Sequence, residues 1–304
     1  MNTPALPWPA TAFLGLGALG APMARRLLAA GVPLRVHNRS PAAMEPLRAA
    51  GAVAAADPAA AVAGSELVCL CLSDDAAVRA VLLEQERAAV HGLAAGALVI
   101  DFSTVAPTTS MALAAALADR GVGYIDAPVT GGTEGARAGT LSVLVGGGAD
   151  QLERARPLLA QVGSRISHFG PVGSGQQVKA LNQVLVAGSY AAVAEALALG
   201  QRLGLPLEQV REALRHGAAG SWALEHRAGH MLSDHYPLGF RLALHRKDLA
   251  IALEAAAAAD LALPVCERVA AMEDALIAAG HGDLDVSVLA RWFRAPADPA
   301  APAP

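Results

Sequence analysis

From Thr11 to about Gly147, short apolar runs alternate with longer stretches of helical periodicity. The runs at 11–15 (TAFLG), 33–37 (PLRVH), 66–72 (ELVCLCL), 97–101 (ALVID), 122–126 (VGYID) and 141–146 (LSVLVG) read as strands. Stretches such as 20–30, 42–50 and 108–119 read as helices between them. This alternation is expected of βα units around a mostly parallel sheet. Strands that are apolar without polar alternation are buried on both faces. The region 11–173 is therefore predicted to be a doubly wound, Rossmann-type α/β domain.

After Gly175 the pattern changes. An Ala/Leu-rich helical periodicity runs over 176–203 without proline or a mid-span glycine pair. One continuous helix there would be about 40 Å long, enough to link two domains. Further helices are predicted at 207–216, 221–232, 241–259, 264–279 and 285–294, making 174–295 an all-α domain. Residues 1–10 and the Pro/Ala-rich 296–304 read as disordered ends.

Composition adds exclusions. The formal net charge of -4, with signs scattered, provides no basic stripe for a nucleic-acid backbone. The longest apolar stretches are read as broken by Gly, Pro or charge before the ~20 residues a membrane span needs. The first ten residues lack a basic start followed by an apolar core, so no signal peptide is expected. Three cysteines, with Cys69 and Cys71 on one side of the same run, suggest free buried thiols in a reducing, cytoplasmic setting. Hydrophobic residues make up 54% of the chain but aromatics only 4%, so the helices are built from small aliphatic residues that pack closely.

The first predicted strand ends in Gly15-Leu16-Gly17-Ala18-Leu19-Gly20, which opens directly into a helix. In a strand–turn–helix setting this spacing fits a dinucleotide: a tight turn, room for a pyrophosphate and close helix–sheet contact. About twenty residues further on, NAD-selective domains carry an acid for the ribose hydroxyl. Here the chain reads His37-Asn38-Arg39-Ser40, and no carboxylate occurs until Glu45. Arg39 offers planar donors to a 2′-phosphate and Ser40 a hydroxyl, which favours NADP(H) over NAD(H).

Ligands of open α/β sheets bind beyond the strand C-termini. That points to Leu72-Ser73-Asp74, Ser103-Thr104 and Thr130-Gly131-Gly132, whose hydroxyls and backbone N–H groups suit a carboxylate or an amide; any one of them alone reads more readily as a helix cap. On the long helix, Lys179, Asn182 and Gln183 share a face at i, i+3 and i+4. A lysine among small apolar residues is either a desolvated proton-transfer group or a snorkelling surface charge, and spacing leaves both open. His226 and His230, with His235 nearby, have helical spacing for a metal but no supporting motif, and no metal is expected.

Five segments, in order, resemble the β-hydroxyacid dehydrogenase family, which includes 3-hydroxyisobutyrate dehydrogenase and tartronate semialdehyde reductase. They are FLGLGALGAPMARRLLAAG (13–31), DFSTVAP (101–107), DAPVTGGTEGARAGTLSVLVGG (126–147), GSGQQVKALNQ (173–183) and FRLALHRKDL (240–249). The resemblance implies an NAD(P)-dependent, homodimeric or homotetrameric enzyme that interconverts a small β-hydroxy acid and its semialdehyde or keto acid. It makes Lys179 the proton donor or acceptor and Asn182 a substrate contact. Thr130, Gly131 and Gly132 become the substrate-carboxylate loop, with Ser103 beside it. The glycine loop, Asn38, Arg39, Ser40, Leu72, Ser73 and Thr104 become cofactor contacts, and Lys247 a residue closing over the cofactor. Thr130 stands where Ser is common and Gln183 where many members have a second Asn; the Asn-Gln pair is similar to the tartronate semialdehyde reductase branch. Imine reductases share the two-domain plan but usually replace the lysine, and a non-catalytic nucleotide-binding protein would not need the lysine, the asparagine and both glycine loops together.

Overall fold

In the computed structural model, which describes residues 8–294, six strands form one sheet in the order β3-β2-β1-β4-β5-β6, every pair parallel. They are β1 (Thr11–Leu14), β2 (Leu34–His37), β3 (Val53–Ala54), β4 (Leu67–Leu70), β5 (Leu98–Asp101) and β6 (Gly123–Asp126). Alternate side chains supply two separate cores. Phe13, Cys69, Ile100 and Ile125 pack on one face; Leu14, Val68, Leu70, Val99 and Tyr124 pack on the other. Burial on both faces is why these runs lack polar alternation. The doubly wound expectation holds, and the strand order reverses direction between β1 and β4.

The run at 141–146 is not a further strand of this sheet. As β8 (Leu141–Val145) it lies between β7 (Val129–Thr130), antiparallel, and β9 (Gly163–His168), parallel. An isolated bridge from Asp126 to Gly146 ties this small sheet to β6. Three strands, β3, β7 and β9, carry no readable pattern: two have two residues each, and β9 is largely exposed.

Trp8 donates its indole Nε1 to Ala30 O at 2.9 Å and packs against the core. The expected disordered extension over 1–10 is therefore too long by Trp8–Ala10; the rest of it, and the tail from 295 to 304, lie outside the described residues. Cys69, Cys71 and Cys266 are free thiols.

The chain divides into two compact units between Lys179 and Ala180, inside the single helix Ser174–Arg202. By length and composition this helix is apolar enough to cross a bilayer, contrary to the sequence expectation. It is tied into the fold at Gln176, Lys179 and Gln183, which are buried on it with internal hydrogen-bond partners. The second unit adds helices Leu207–Leu214, Leu242–Ala257 and Pro264–Ala278, around a core including Tyr190, Met231, Leu249, Val269 and Leu289. The helix expected over 221–232 is two, Trp222–His226 and Ala228–Ser233, because the backbone opens at Arg227 (φ -118°, ψ -21°). Arg227 is buried, pairs with Asp285 at 3.4 Å and lies over the Trp222 ring. The expected 285–294 helix begins as a 3-10 turn, Val286–Leu289, capped by Asp285, before the short helix Ala290–Arg294.

Candidate active site

The glycine loop leaves β1 at the point where the strand order reverses, the place open α/β sheets use for ligands. Gly15 has φ +96°, and a Cβ there would lie 2.3 Å from Cys71 O. A Cβ on Gly20 would meet Gly15 O at 2.1 Å, so the helix Gly20–Ala29 can start against the strand only without a side chain. Gly17 differs: nothing lies within 4 Å of its Cβ position, and both it and Ala18 are exposed. Two glycines thus serve the turn and the helix contact, while the middle one keeps an open approach to backbone N–H groups at a helix N-terminus. This cradle fits a pyrophosphate.

Neighbouring loops are tied to one another. Asn38 Oδ1 accepts from Leu16 N at 2.9 Å, and its Nδ2 donates to Ser40 O at 3.2 Å. Asn38 therefore shapes the turn that presents Arg39 and Ser40, both exposed. Leu72 N donates to Ser103 Oγ at 2.9 Å, and Ser73 Oγ to Asp74 Oδ2 at 2.7 Å. Ser103 is buried, with its hydroxyl also bonded to the Asp101 carboxyl. Its hydroxyl ties the loop that follows β5 to the Leu72 loop. Thr104, half-buried, follows in the same loop.

Asp101 accepts from Ser103 N at 2.9 Å and from Tyr124 Oη at 2.9 Å. Burial pushes its pKa up to about 6, against the opposing pull of the bonds from Ser103 and Tyr124. Asp126 also lies above the ordinary carboxylate range because it is buried. It accepts from Gly173 N at 2.7 Å and Gln176 N at 2.9 Å, and so holds the start of the long helix. Sequence reasoning passed over Asp126, although it opens the DAPVTGG segment, and over Gln176, although it stands one turn before Lys179.

Lys179 is 7% exposed and donates from Nζ to Val129 O at 2.9 Å. Lys179 is thus a buried group and does not snorkel to the surface. Val129 leads directly into Thr130, which is half-buried, and into Gly131 and Gly132 at the start of the helix Gly132–Ala138. Lys179 is therefore anchored to the strand that presents the expected carboxylate loop.

In the second unit, Asn182 Nδ2 donates to Gln183 Oε1 at 2.6 Å, and Gln183 Nε2 to Asp248 Oδ2 at 2.7 Å. Lys247 Nζ pairs with Asp248 Oδ1 at 2.9 Å. Asn182 and Lys247 are thus joined through Gln183 and Asp248. His226 stacks on Trp222, with ring centroids 4.7 Å apart, and His230 meets His235 edge-on.

Residues 10–170 match the family model described as the NAD binding domain of 6-phosphogluconate dehydrogenase. Residues 173–293 match the NAD-binding region of NADP-dependent 3-hydroxyisobutyrate dehydrogenase. The chain is 40% identical over 289 residues to an NAD-dependent L-serine dehydrogenase of Pseudomonas aeruginosa, covering 93% of this chain and 97% of that one. It is 36% identical over 277 residues to 2-hydroxy-3-oxopropionate reductase of Escherichia coli, covering 91% and 94%. A solved structure of 3-hydroxyisobutyrate dehydrogenase from Mycobacterium tuberculosis with L-serine superposes with a TM-score of 0.83 at 33% identity, covering 95% of this chain and all of that one.

Proposed function

Because the chain belongs to the β-hydroxyacid dehydrogenase family and is an NAD(P)-dependent oxidoreductase, we propose that it interconverts a small β-hydroxy acid and its semialdehyde or keto acid, with Lys179 carrying the proton. Named relatives act on serine, 3-hydroxyisobutyrate and 2-hydroxy-3-oxopropionate. The observation that carries the reading is Lys179 itself: a buried ammonium held by Val129 O beside the Thr130-Gly131-Gly132 loop. A lysine at such a place can give a proton to a carbonyl oxygen in reduction and take it back in oxidation.

A bound nicotinamide cofactor supplies or accepts the hydride. The glycine loop would hold its pyrophosphate. Arg39 and Ser40, exposed and without a neighbouring acid, suit a 2′-phosphate, which favours NADP(H) over NAD(H). Thr130 and the backbone N–H groups of Gly131 and Gly132 would fix the substrate carboxylate, and Asn182 would offer its amide.

The test is a spectrophotometric screen with NADPH and NADH against succinic, methylmalonic and tartronic semialdehydes, glyoxylate and a cyclic imine, with serine and 3-hydroxyisobutyrate in the oxidative direction. Lys179→Ala should lower turnover at least ~100-fold while nucleotide binding persists. Undiminished turnover in that variant, or activity on the imine alone, defeats the reading.

A homo-oligomer is the second part of the proposal. Leu181, Leu185, Leu199 and Leu203 are 65%, 74%, 60% and 64% exposed, with exposed Ala192 and Ala196 between them. Their spacing makes one apolar stripe along the long helix, the kind of surface that helix pairing covers. Light scattering on the intact protein should show two or four copies; a monomer at micromolar concentration contradicts it.

A further inference from the structure

Gln176 is 1% exposed, and both ends of its side-chain amide are engaged. Nε2 donates to Ser103 O at 2.8 Å, and Oε1 accepts from Val105 N at 3.3 Å. These two groups flank Thr104 in the loop that follows β5. The backbone N–H of Gln176 donates to Asp126 Oδ2 at 2.9 Å. One residue therefore clamps the main chain on both sides of Thr104 while being held from behind by the carboxylate at the end of β6.

Lys179 follows Gln176 by three positions, so the two side chains occupy neighbouring places on one helix face. Two fixed points then set how the first turns of this helix are rotated about their axis. One is the Gln176 amide on the 103–105 loop; the other is the Lys179 ammonium on Val129 O. An amide is the side chain that meets this need. It offers a donor to a carbonyl and an acceptor to an N–H at once, with no charge to desolvate.

We propose that Gln176 is a positioning residue for the reaction: its amide locks the Thr104 loop to the helix face that bears Lys179, so that cofactor loop and proton-transfer group are held in one register. The inference rests on the proposed role of Lys179. Displacing a reacting group by about 1 Å can cost on the order of 100-fold in rate, so loss of the clamp acts on turnover before it acts on binding.

The test compares Gln176→Leu, close in volume but unable to hydrogen-bond, with Gln176→Glu. In Gln176→Leu, kcat should fall about 10- to 100-fold, while the KM for the acid and the Kd for nucleotide stay close to wild type. A second readout does not depend on turnover. Acetylation of Lys179 by a limiting amine reagent, read by mass spectrometry, should run several-fold faster in Gln176→Leu than in wild type. A folded Gln176→Leu protein with wild-type kcat, or with unchanged Lys179 acetylation, overturns the proposal.

If the wild type turns over none of the screened compounds, the functional reading falls, and the acetylation contrast alone decides whether Gln176 positions Lys179. If Gln176→Leu does not fold, Gln176→Glu decides. Its carboxylate repels Ser103 O when ionised and donates to it when protonated. Its turnover relative to wild type should therefore rise as the pH is lowered, and a flat ratio overturns the proposal.

Discussion

The two units differ in whether a cation stands against their buried acids. In the nucleotide-binding unit, Asp101 and Asp126 are met by neutral donors: backbone N–H groups, the Ser103 hydroxyl and the Tyr124 hydroxyl. In the helical unit, Asp285 faces Arg227 and Asp248 faces Lys247, each beside neutral donors such as Gly239 N and Gln183 Nε2. Neutral donors satisfy a carboxylate without cancelling its charge, so burial is free to raise its pKa, as it does for both acids of the first unit. Cations cancel charge but make each partner depend on the other. The first arrangement fixes loops and the start of the long helix; in the second, the Arg227–Asp285 pair ties together segments far apart in sequence.

The largest effect is expected where a buried ion pair is broken from one side. Asp285→Ala removes the carboxylate that faces the buried Arg227 and also the acceptor of Gly239 N, Phe240 N and Ser287 N. Breaking a buried pair from one side costs about 3–5 kcal/mol. Denaturant unfolding should show that loss, with faster hydrogen exchange confined to the helical unit. A loss below about 1 kcal/mol, the level of an exposed pair, would erase the contrast between the units.

A smaller and pH-dependent effect is expected from Asp101→Asn. The folded chain holds the Asp101 proton up to about pH 6, whereas the unfolded chain releases it in the ordinary range for Asp, near 4. The contribution to stability is thus complete below pH 4 and is lost as the pH rises through 6. Its size is on the order of 3 kcal/mol. Urea titrations from pH 4 to pH 7 should show wild type weakening relative to Asp101→Asn over that window and running parallel above it. Parallel curves throughout would mean that the neutral donors hold Asp101 ionised as firmly as a cation would.

How much of this was readable beforehand follows from where the partners lie. Five of the six strands of the main sheet could be read because burial on both faces writes itself as an apolar run, whereas β3, two exposed residues at the edge, could not. The glycine loop could be read because its three positions are local. β9 could not, since it exposes most of its side chains. The break at Arg227 depends on Asp285, far along the chain, and nothing near Trp222–Ser233 announces it. Gln176 and Asp126 escaped for the same reason: their partners are backbone groups, which no residue type marks. The bond from Leu72 N to the Ser103 hydroxyl escaped in the same way.

The glycine loop bears on how such a sequence can drift over generations. At Gly15 and Gly20 any side chain collides with backbone, so an alanine there is rejected when the chain folds, whether or not the protein has work to do. At Gly17 there is room, and folding imposes no such veto. Only the demand for a nucleotide can hold that glycine in place. A lineage that abandoned its redox role would keep the outer two and let the middle one go. A side chain at position 17 would thus report on nucleotide binding alone, since the fold leaves room for one.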